Sequence, residues 1–200
     1  MTLDKFRPHV TNIVHPFAAA AMKLGLTPNS FTIGAFLVAA GAGTAFFLGS
    51  IVLGTVLVAV NAVFDAMDGA LARARNIQSV KGDFLDHVVD RYADIFIITG
   101  IFAGGFAPWP VGVLALTGVL MSSYLGTQAQ AVGVGRYYGG VLGRADRLVL
   151  ILVAGVLDML VPVKVGGLPF LGWLLVIFGI MGHFTAAQRF AFVWRNMPEK

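Results

Sequence analysis

The segment that decides the fold runs from Asp65 to Asp90 and reads DAMDGALARARNIQSVKGDFLDHVVD. Four of its aspartates stand in the pattern Asp65-x-x-Asp68-Gly69-x-x-Ala72-Arg73, then eight residues, then Gly82-x-x-x-Asp86-x-x-x-Asp90. They lie in otherwise apolar stretches, and a carboxylate at the centre of a bilayer costs about 2.5–3.5 kcal/mol on insertion scales. Four together would cost roughly 10–14 kcal/mol, so the cluster predicts a bound cation, a water-filled cavity, or both.

The composition is typical of a polytopic membrane protein. The chain has 200 residues, of which 58% are hydrophobic and only 12% are charged, and its mean hydropathy is +0.83. Soluble domains carry about 25% charged residues, so half that share predicts membrane-spanning helices. The absence of cysteine excludes disulfides, thiolate nucleophiles and zinc–thiolate sites. No secretory signal pattern is seen at the start, and a single membrane domain over residues 1–200 is the simplest organisation.

The apolar stretches predict an all-α fold with six transmembrane helices. They lie at about residues 29–49, 51–75, 81–106, 109–134, 145–161 and 168–193, each near the length that a bilayer requires. In residues 1–25, apolar side chains recur at helical spacing between basic and polar ones. This pattern predicts an amphipathic interfacial helix, and the alternative is an ordinary helix packed on the bundle.

The basic residues predict the orientation in the membrane. With six alternating helices, all of the 14 Lys and Arg residues except Lys164 fall on the side of the two termini. By the positive-inside rule that side is cytoplasmic. We therefore expect a multi-pass protein of the cell membrane with its active site and both termini on the cytoplasmic side. Because topology accounts for the net charge of +4, the charge does not indicate a nucleic-acid partner.

Helical spacing predicts that the four aspartates converge. Asp65 and Asp68 share one face of the second helix, and Asp86 and Asp90 share one face of the third. A short turn makes these helices antiparallel neighbours, with Asp65 and Asp90 about one turn deeper than the other pair. All-oxygen ligation favours Mg²⁺, with Mn²⁺ as the alternative, and four shared carboxylates suit two ions.

Small residues and one cation accompany the aspartates. Gly69, Ala72 and Gly82 expose helix backbone, which lets a flat group such as a nucleotide base approach closely. Arg73 is placed as a phosphate partner would be. The alternative for these features is helix packing by the glycines and a salt bridge from Arg73 to an aspartate.

The complete run, D-x2-D-G-x2-A-R-x8-G-x3-D-x3-D, resembles the signature of the CDP-alcohol phosphotransferases, and every position is present. The resemblance implies a membrane enzyme that transfers a phosphatidyl-type group from a CDP-activated lipid to an alcohol and releases CMP. It implies metal binding by Asp65, Asp68, Asp86 and Asp90, with Asp90 also acting as general base. The CDP-lipid pocket would be lined by Asp68, Gly69, Ala72, Arg73 and Gly82.

Two further residues would face the same pocket from the start of the first helix. These are Asn29 and Thr32, which follow Pro28. A helix start at Pro28 with Thr27 as N-cap explains much of this segment without any substrate role.

The acceptor is indicated by polar residues near the predicted cytoplasmic side. Gln128 offers hydrogen bonds to a polyol, and three arginines offer cations to a second phosphate: Arg144, Arg147 and Arg189. The alternative is that these arginines only extend towards the membrane surface. The element Arg144-x-x-Arg147 and the pair Gln188-Arg189 resemble family members that use inositol phosphates.

Residues 124–148 resemble the archaetidylinositol phosphate synthases within the family. This resemblance implies CDP-archaeol and inositol 1-phosphate as substrates, with glycerol 3-phosphate, serine or inositol as alternative acceptors. One departure is that Gly126 and Gln128 stand where bacterial phosphatidylinositol phosphate synthases have a lysine and an arginine.

Two alternatives concern assembly and function. Gly100-x-x-x-Gly104 permits a close helix crossing, either in a homodimer, which the family favours, or within the chain. A cation transporter is the rival function, and it predicts acidic residues spread through the membrane depth and repeated halves. Here the acidic residues cluster and no repeat is visible.

Overall fold

The computed structural model describes residues 25–74 and 79–198. These residues form six α-helices and no β-strand: α1 Pro28–Phe47, α2 Ile51–Ala74, α3 Val80–Ala103, α4 Trp109–Ala131, α5 Arg144–Leu160 and α6 Phe170–Asn196. The all-α prediction is confirmed, and each helix end lies within three residues of the predicted stretch. The predicted interfacial helix lies, except for Gly25 at its end, outside the described residues.

Four of these helices, α1, α2, α4 and α6, are long and apolar enough to cross a membrane. Helix α3 is more polar, because it carries Asp83, Asp86, Asp90, Arg91 and Asp94, and α5 has only 17 residues. The described part of the chain is thus a multi-pass helical protein. Membrane crossing by α3 and α5, and hence the count of six spans, stays a prediction.

The chain divides into two compact units. Among the described residues, the first unit ends at Gly100 and contains α1, α2 and nearly all of α3, and the second begins at Ile101 and contains α4, α5 and α6. All four predicted metal-binding aspartates belong to the first unit. The predicted single domain over residues 1–200 stays a prediction.

Helix α1 begins where the sequence predicts and packs against both other helices of its unit. The Thr27 hydroxyl accepts a hydrogen bond from the Ser30 N–H at 3.2 Å, which confirms the predicted N-cap. Phe31 packs edge-to-face on Phe64 of α2, with ring centroids 5.7 Å apart. Phe36 packs in the same way on Phe96 of α3, at 5.6 Å. These contacts fix α1 beside the two aspartate-bearing helices.

Helices α1 and α3 cross at two glycines. A Cβ atom on Gly100 would overlap the backbone of Gly43, and one on Gly43 would overlap the carbonyl of Phe96. Of the two uses left open for Gly100-x-x-x-Gly104, Gly100 therefore serves packing within the chain. The homodimer stays a prediction.

In the second unit, α4 packs along α6 through small residues. A Cβ atom on Gly182 would lie 2.7 Å from the backbone of Gly118. At the end of α5, the buried Asp158 accepts the backbone N–H groups of Phe170 and Leu171 at 2.7 and 2.9 Å. These bonds satisfy the first donors of α6 and place a negative charge at its positive end.

Candidate active site

Helices α2 and α3 bring three carboxylates together. An oxygen of each of Asp65, Asp86 and Asp90 lies within 4.8 Å of the other two. Asp90 is only 8% exposed, and the other two are half-buried. The donor set consists of oxygen alone and is clustered in a partly apolar surrounding, so it fits a hard divalent cation such as Mg²⁺ or Mn²⁺.

The fourth aspartate, Asp68, is 7% exposed and lies three residues further along α2. Its Oδ2 accepts a hydrogen bond of 2.8 Å from the hydroxyl of Thr32 on α1. Thr32 Oγ1 also lies 3.2 Å from the carbonyl of Pro28, but a hydroxyl has one proton, and the shorter bond to a charged acceptor is the stronger. The Thr32 hydroxyl thus fixes the orientation of the Asp68 carboxylate. That Asp68 binds a metal ion together with the other three aspartates stays a prediction.

A cavity of about 610 Å³ opens beside these carboxylates within the first unit. Its lining includes Asp86 and every residue predicted for the CDP-lipid pocket: Asn29, Thr32, Asp68, Gly69, Ala72, Arg73 and Gly82. The structure therefore brings Asn29 and Thr32 of α1 to the same cavity as the motif residues on α2 and α3.

The glycines of the motif face the cavity and do not serve a helix crossing. Among the described residues, a Cβ atom on Gly69 would meet only the flexible end of Arg73, at 3.2 Å. One on Gly82 would lie 3.1 Å from Ser79 Oγ, and its other neighbour is Asn29 Oδ1 at 3.7 Å. Since no backbone of another helix in the described part of the chain lies within 4 Å of these Cβ positions, packing does not account for the two glycines, whereas an open cavity does.

Sequence reasoning did not assign to the site three residues whose polar side chains line the cavity: Thr27, Ser79 and Asp83. Ser79 is the residue before α3, and its hydroxyl accepts the N–H of Gly82 at 3.0 Å. A serine three residues before a glycine at a helix start is an N-cap signal that would have found it. Asp83 lies 3.6 Å from Nδ1 of His87, one turn along α3.

A buried acidic residue beyond the motif was also missed. Asp94 is 6% exposed and lies one turn after Asp90 on α3. The guanidinium of Arg91 lies between the two, 3.7 Å from Asp90 Oδ2 and 3.8 Å from Asp94 Oδ2. The i, i+4 spacing from Asp90 is the signal that would have found Asp94.

The four residues predicted to bind the acceptor all belong to the second unit: Gln128, Arg144, Arg147 and Arg189. Arg189 is 5% exposed, and its guanidinium donates to three backbone carbonyls, those of Ser122 at 2.5 Å, Gly139 at 2.8 Å and Tyr138 at 3.4 Å. These bonds give it a structural role, joining α6 to α4 and to the segment before α5. Its contact with an acceptor stays a prediction.

Comparison with known proteins agrees with the motif. A family model described as CDP-alcohol phosphatidyltransferase matches residues 25–185. An archaetidylinositol phosphate synthase of Methanothermobacter thermautotrophicus is 33% identical over 98% of this chain and 95% of its own length. The corresponding synthase of Pyrococcus horikoshii is 38% identical over 82% of this chain and 86% of its own length.

Solved structures show the same fold. The crystal structure of Mycobacterium tuberculosis phosphatidylinositol phosphate synthase with CDP-DAG bound has a TM-score of 0.80 and 28% sequence identity, covering 92% of this chain and 94% of that one. The same synthase in complex with manganese and citrate has a TM-score of 0.79, covering 90% and 88%. The residues matched by the family model include the whole segment from Asp65 to Asp90.

Proposed function

Because the chain belongs to the CDP-alcohol phosphatidyltransferase family, and is thus a transferase of substituted phosphate groups, we propose that it makes a phosphorylated inositol lipid. It transfers an archaetidyl or phosphatidyl group from a CDP-activated lipid to inositol 1-phosphate and releases CMP. The observation that carries this function is the carboxylate cluster of Asp65, Asp86 and Asp90 beside the cavity of the first unit. CDP-archaeol as donor and inositol 1-phosphate as acceptor are supported by the names of the archaeal relatives.

The metal requirement follows from the same cluster. We propose two Mg²⁺ ions, or Mn²⁺ in their place, held by Asp65, Asp68, Asp86 and Asp90. When bound, such ions neutralise the charge of the pyrophosphate and of the departing nucleotide. The manganese complex of the mycobacterial synthase and the oxygen-only donor set support a divalent metal.

The side chains around the cavity have distinct tasks in binding the CDP-lipid. Gly69, Ala72 and Gly82 place little or no side chain in the cavity, so that the nucleotide lies against helix backbone. Arg73 pairs with a phosphate, and Asn29 and Thr32 supply polar contacts from α1. The cavity thereby orients the phosphorus–oxygen bond that breaks.

The transfer itself needs one proton to be moved. A hydroxyl oxygen of the acceptor forms a bond to the lipid-linked phosphorus, while the bond from that phosphorus to the bridging oxygen breaks and CMP leaves with the electron pair. The Asp90 carboxylate accepts the hydroxyl proton. Its fixed position on α3 matters more than its basicity, because proximity converts the step into an intramolecular one.

The remaining proposals concern the acceptor, the membrane and assembly. Gln128 would hydrogen-bond the polyol, and the acceptor's phosphate would be bound by Arg144, Arg147 and Arg189. The active site and both termini would face the cytoplasm, as the basic residues indicate. A homodimer in the bilayer completes the proposal.

The proposed reaction is tested with the purified full chain and Mg²⁺. We expect CMP release from CDP-archaeol when inositol 1-phosphate is added, and little release with glycerol 3-phosphate, serine or inositol. If CMP is released with one of those three alcohols and not with inositol 1-phosphate, the proposed acceptor is wrong and the reaction class stands. No CMP release with any alcohol, from CDP-archaeol or CDP-diacylglycerol, would contradict the reaction itself.

Replacing Thr32 by valine tests the bond between α1 and Asp68. Thr32→Val removes the donor at 2.8 Å, and a hydrogen bond to a charged group contributes about 1.5–3 kcal/mol. We expect kcat/KM for the CDP-lipid to fall about tenfold or more, measured as CMP release. Thr44→Val on the same helix is the control, because the exposed Thr44 hydroxyl donates only to the Ala40 carbonyl one turn away. Equal activity of the two variants would contradict the role of Thr32.

A further inference from the structure

A buried amide lies one turn beneath the carboxylate cluster. Asn61 on α2 is 0% exposed and precedes Asp65 by four residues, so the two lie on one face of the helix. At about 100° per residue, Asp65 points about 40° to one side of Asn61 and Asp68 about 20° to the other. Asp68 is bonded to Thr32 on α1, whereas Asp65 reaches Asp86 and Asp90 on α3. Asn61 therefore lies between the side facing α1 and the side facing α3.

The orientation of this amide is fixed by its nitrogen. Asn61 Nδ2 donates a hydrogen bond of 2.8 Å to the backbone carbonyl of Ala35 on α1. A carbonyl needs a donor, so the amide nitrogen must occupy that position and the oxygen must lie on the other side. The oxygen, Oδ1, is therefore the end of the amide that is not bonded to the Ala35 carbonyl.

The amide oxygen of Asn61 is a buried acceptor. Among residues 25–74 and 79–198, Asn61 Oδ1 is buried and has no hydrogen-bond partner. A buried acceptor of this kind loses its hydration without compensation, and native proteins keep one where water, an ion or a functional group completes it. Its neighbour along the helix face, Asp65, also presents only acceptor oxygens. A water molecule has two donors and can therefore bridge two such acceptors.

Helix α3 also carries a buried polar residue one turn beyond its deeper metal-binding aspartate. By helical spacing, Asn61 lies one turn before Asp65 on α2 and Asp94 lies one turn after Asp90 on α3, each on the side away from the connection between the two helices. Asp94 is buried and is linked to Asp90 through Arg91. Each carboxylate of the deeper metal-binding pair thus has a buried polar neighbour one turn beneath it.

We propose that Asn61 is a positioning residue of the metal site, whose amide oxygen, through a buried water molecule, orients the Asp65 carboxylate. This inference rests on the proposed function, since it assumes that Asp65 binds a divalent cation. Nothing in the sequence motif includes Asn61, which lies four residues before its first aspartate. Groups that orient metal ligands affect affinity about 10–100-fold when they are removed.

The test measures Mn²⁺ binding to the purified full chain by the loss of the paramagnetic resonance signal of free Mn²⁺, with no substrate present. In Asn61→Leu, which is similar in size and has no oxygen, we expect affinity to fall about 10–100-fold. In Asn61→Asp, which keeps an acceptor oxygen, Mn²⁺ should bind at least as tightly as in the wild type. Thermal unfolding of each variant shows that the protein compared is folded.

The control is Thr55→Val on the same helix. Thr55 is 5% exposed, and its hydroxyl oxygen also has no partner in the described part of the chain, but it lies on a different face of α2 from Asn61. Wild-type Mn²⁺ affinity is expected for this variant. Wild-type affinity in Asn61→Leu would overturn the inference, and so would equal losses in Asn61→Leu and Asn61→Asp, which would show that only the bond to Ala35 matters.

Two further outcomes separate the inference from the proposed function. If Asn61→Leu does not fold, the comparison of Asn61→Asp with the wild type decides, and weakened binding there overturns the inference. If the wild type itself binds no Mn²⁺, the metal site and the proposed function fail together with it. If the wild type binds Mn²⁺ and the Asn61 substitutions leave the affinity unchanged, the inference fails and the proposed function stands.

Discussion

Asp90→Asn is expected to lower the rate of CMP release by at least about 10²-fold, because general base catalysis contributes about 10²–10⁴-fold. The substitution is isosteric, so the packing around this buried residue is kept, while the amide cannot take the acceptor's proton. It also removes one of the three carboxylates whose oxygens lie within 4.8 Å of one another. Both effects lower the rate. The measurement is CMP release at saturating CDP-lipid and acceptor.

The matched control is Asp158→Asn in the second unit. Asp158 is 5% exposed, and its carboxylate caps α6 through the N–H groups of Phe170 and Leu171. Loss of such a cap is expected to cost about 0.5–2 kcal/mol of stability and no more activity than that instability explains. If Asp90→Asn released CMP at the wild-type rate, Asp90 would be neither the base nor a needed metal ligand.

Gly69→Leu is expected to abolish most of the activity by obstructing the cavity. The added side chain projects into a space of about 610 Å³ beside Asp68 and Asp86, where the nucleotide is proposed to lie. Among the described residues, a Cβ atom at this position meets only the flexible end of Arg73. We expect kcat/KM for the CDP-lipid to fall about 10²-fold or more, with Gly69→Ala between this variant and the wild type, since a site misplaced by about 1 Å loses about 10²-fold.

The control for this series is Gly41→Ala on α1. A Cβ atom on Gly41 would lie 3.5 Å from Leu57 Cδ1, an ordinary contact away from the cavity lining. Wild-type activity is expected. Unchanged kcat/KM in Gly69→Leu, with the protein folded, would show that the CDP-lipid binds elsewhere.

The arrangement of the aspartates is predictable from sequence because it depends on local geometry. Two helices and a short connection suffice to bring Asp65, Asp86 and Asp90 together, and the structure places their oxygens as the spacing predicts. The orientation of the Asp68 side chain is different, because it depends on Thr32, which is 36 residues earlier and on another helix. Helical spacing gives the face that Asp68 occupies and leaves its partner undetermined.

Other features depend on contacts that no local pattern contains. Arg189 resembles a phosphate ligand in the sequence, and its bonds to the carbonyls of Ser122 and Gly139 exist only because the segment before α5 folds back onto α4 and α6. Asn61 looks like a polar interruption of an apolar stretch until its bond to Ala35 fixes its orientation. Gly100 was open to two interpretations, and the backbone of Gly43 decides for a crossing within the chain.

Anomalous diffraction from crystals of this protein grown with Mn²⁺ would show whether these aspartates form a metal-dependent active site. We expect manganese peaks within coordination distance of Asp65, Asp86 and Asp90, with Asp68 joining them. These peaks should disappear in crystals of the Asp65→Asn, Asp86→Asn double variant. Manganese bound elsewhere in active protein, with none near these four carboxylates, would contradict the proposed metal site.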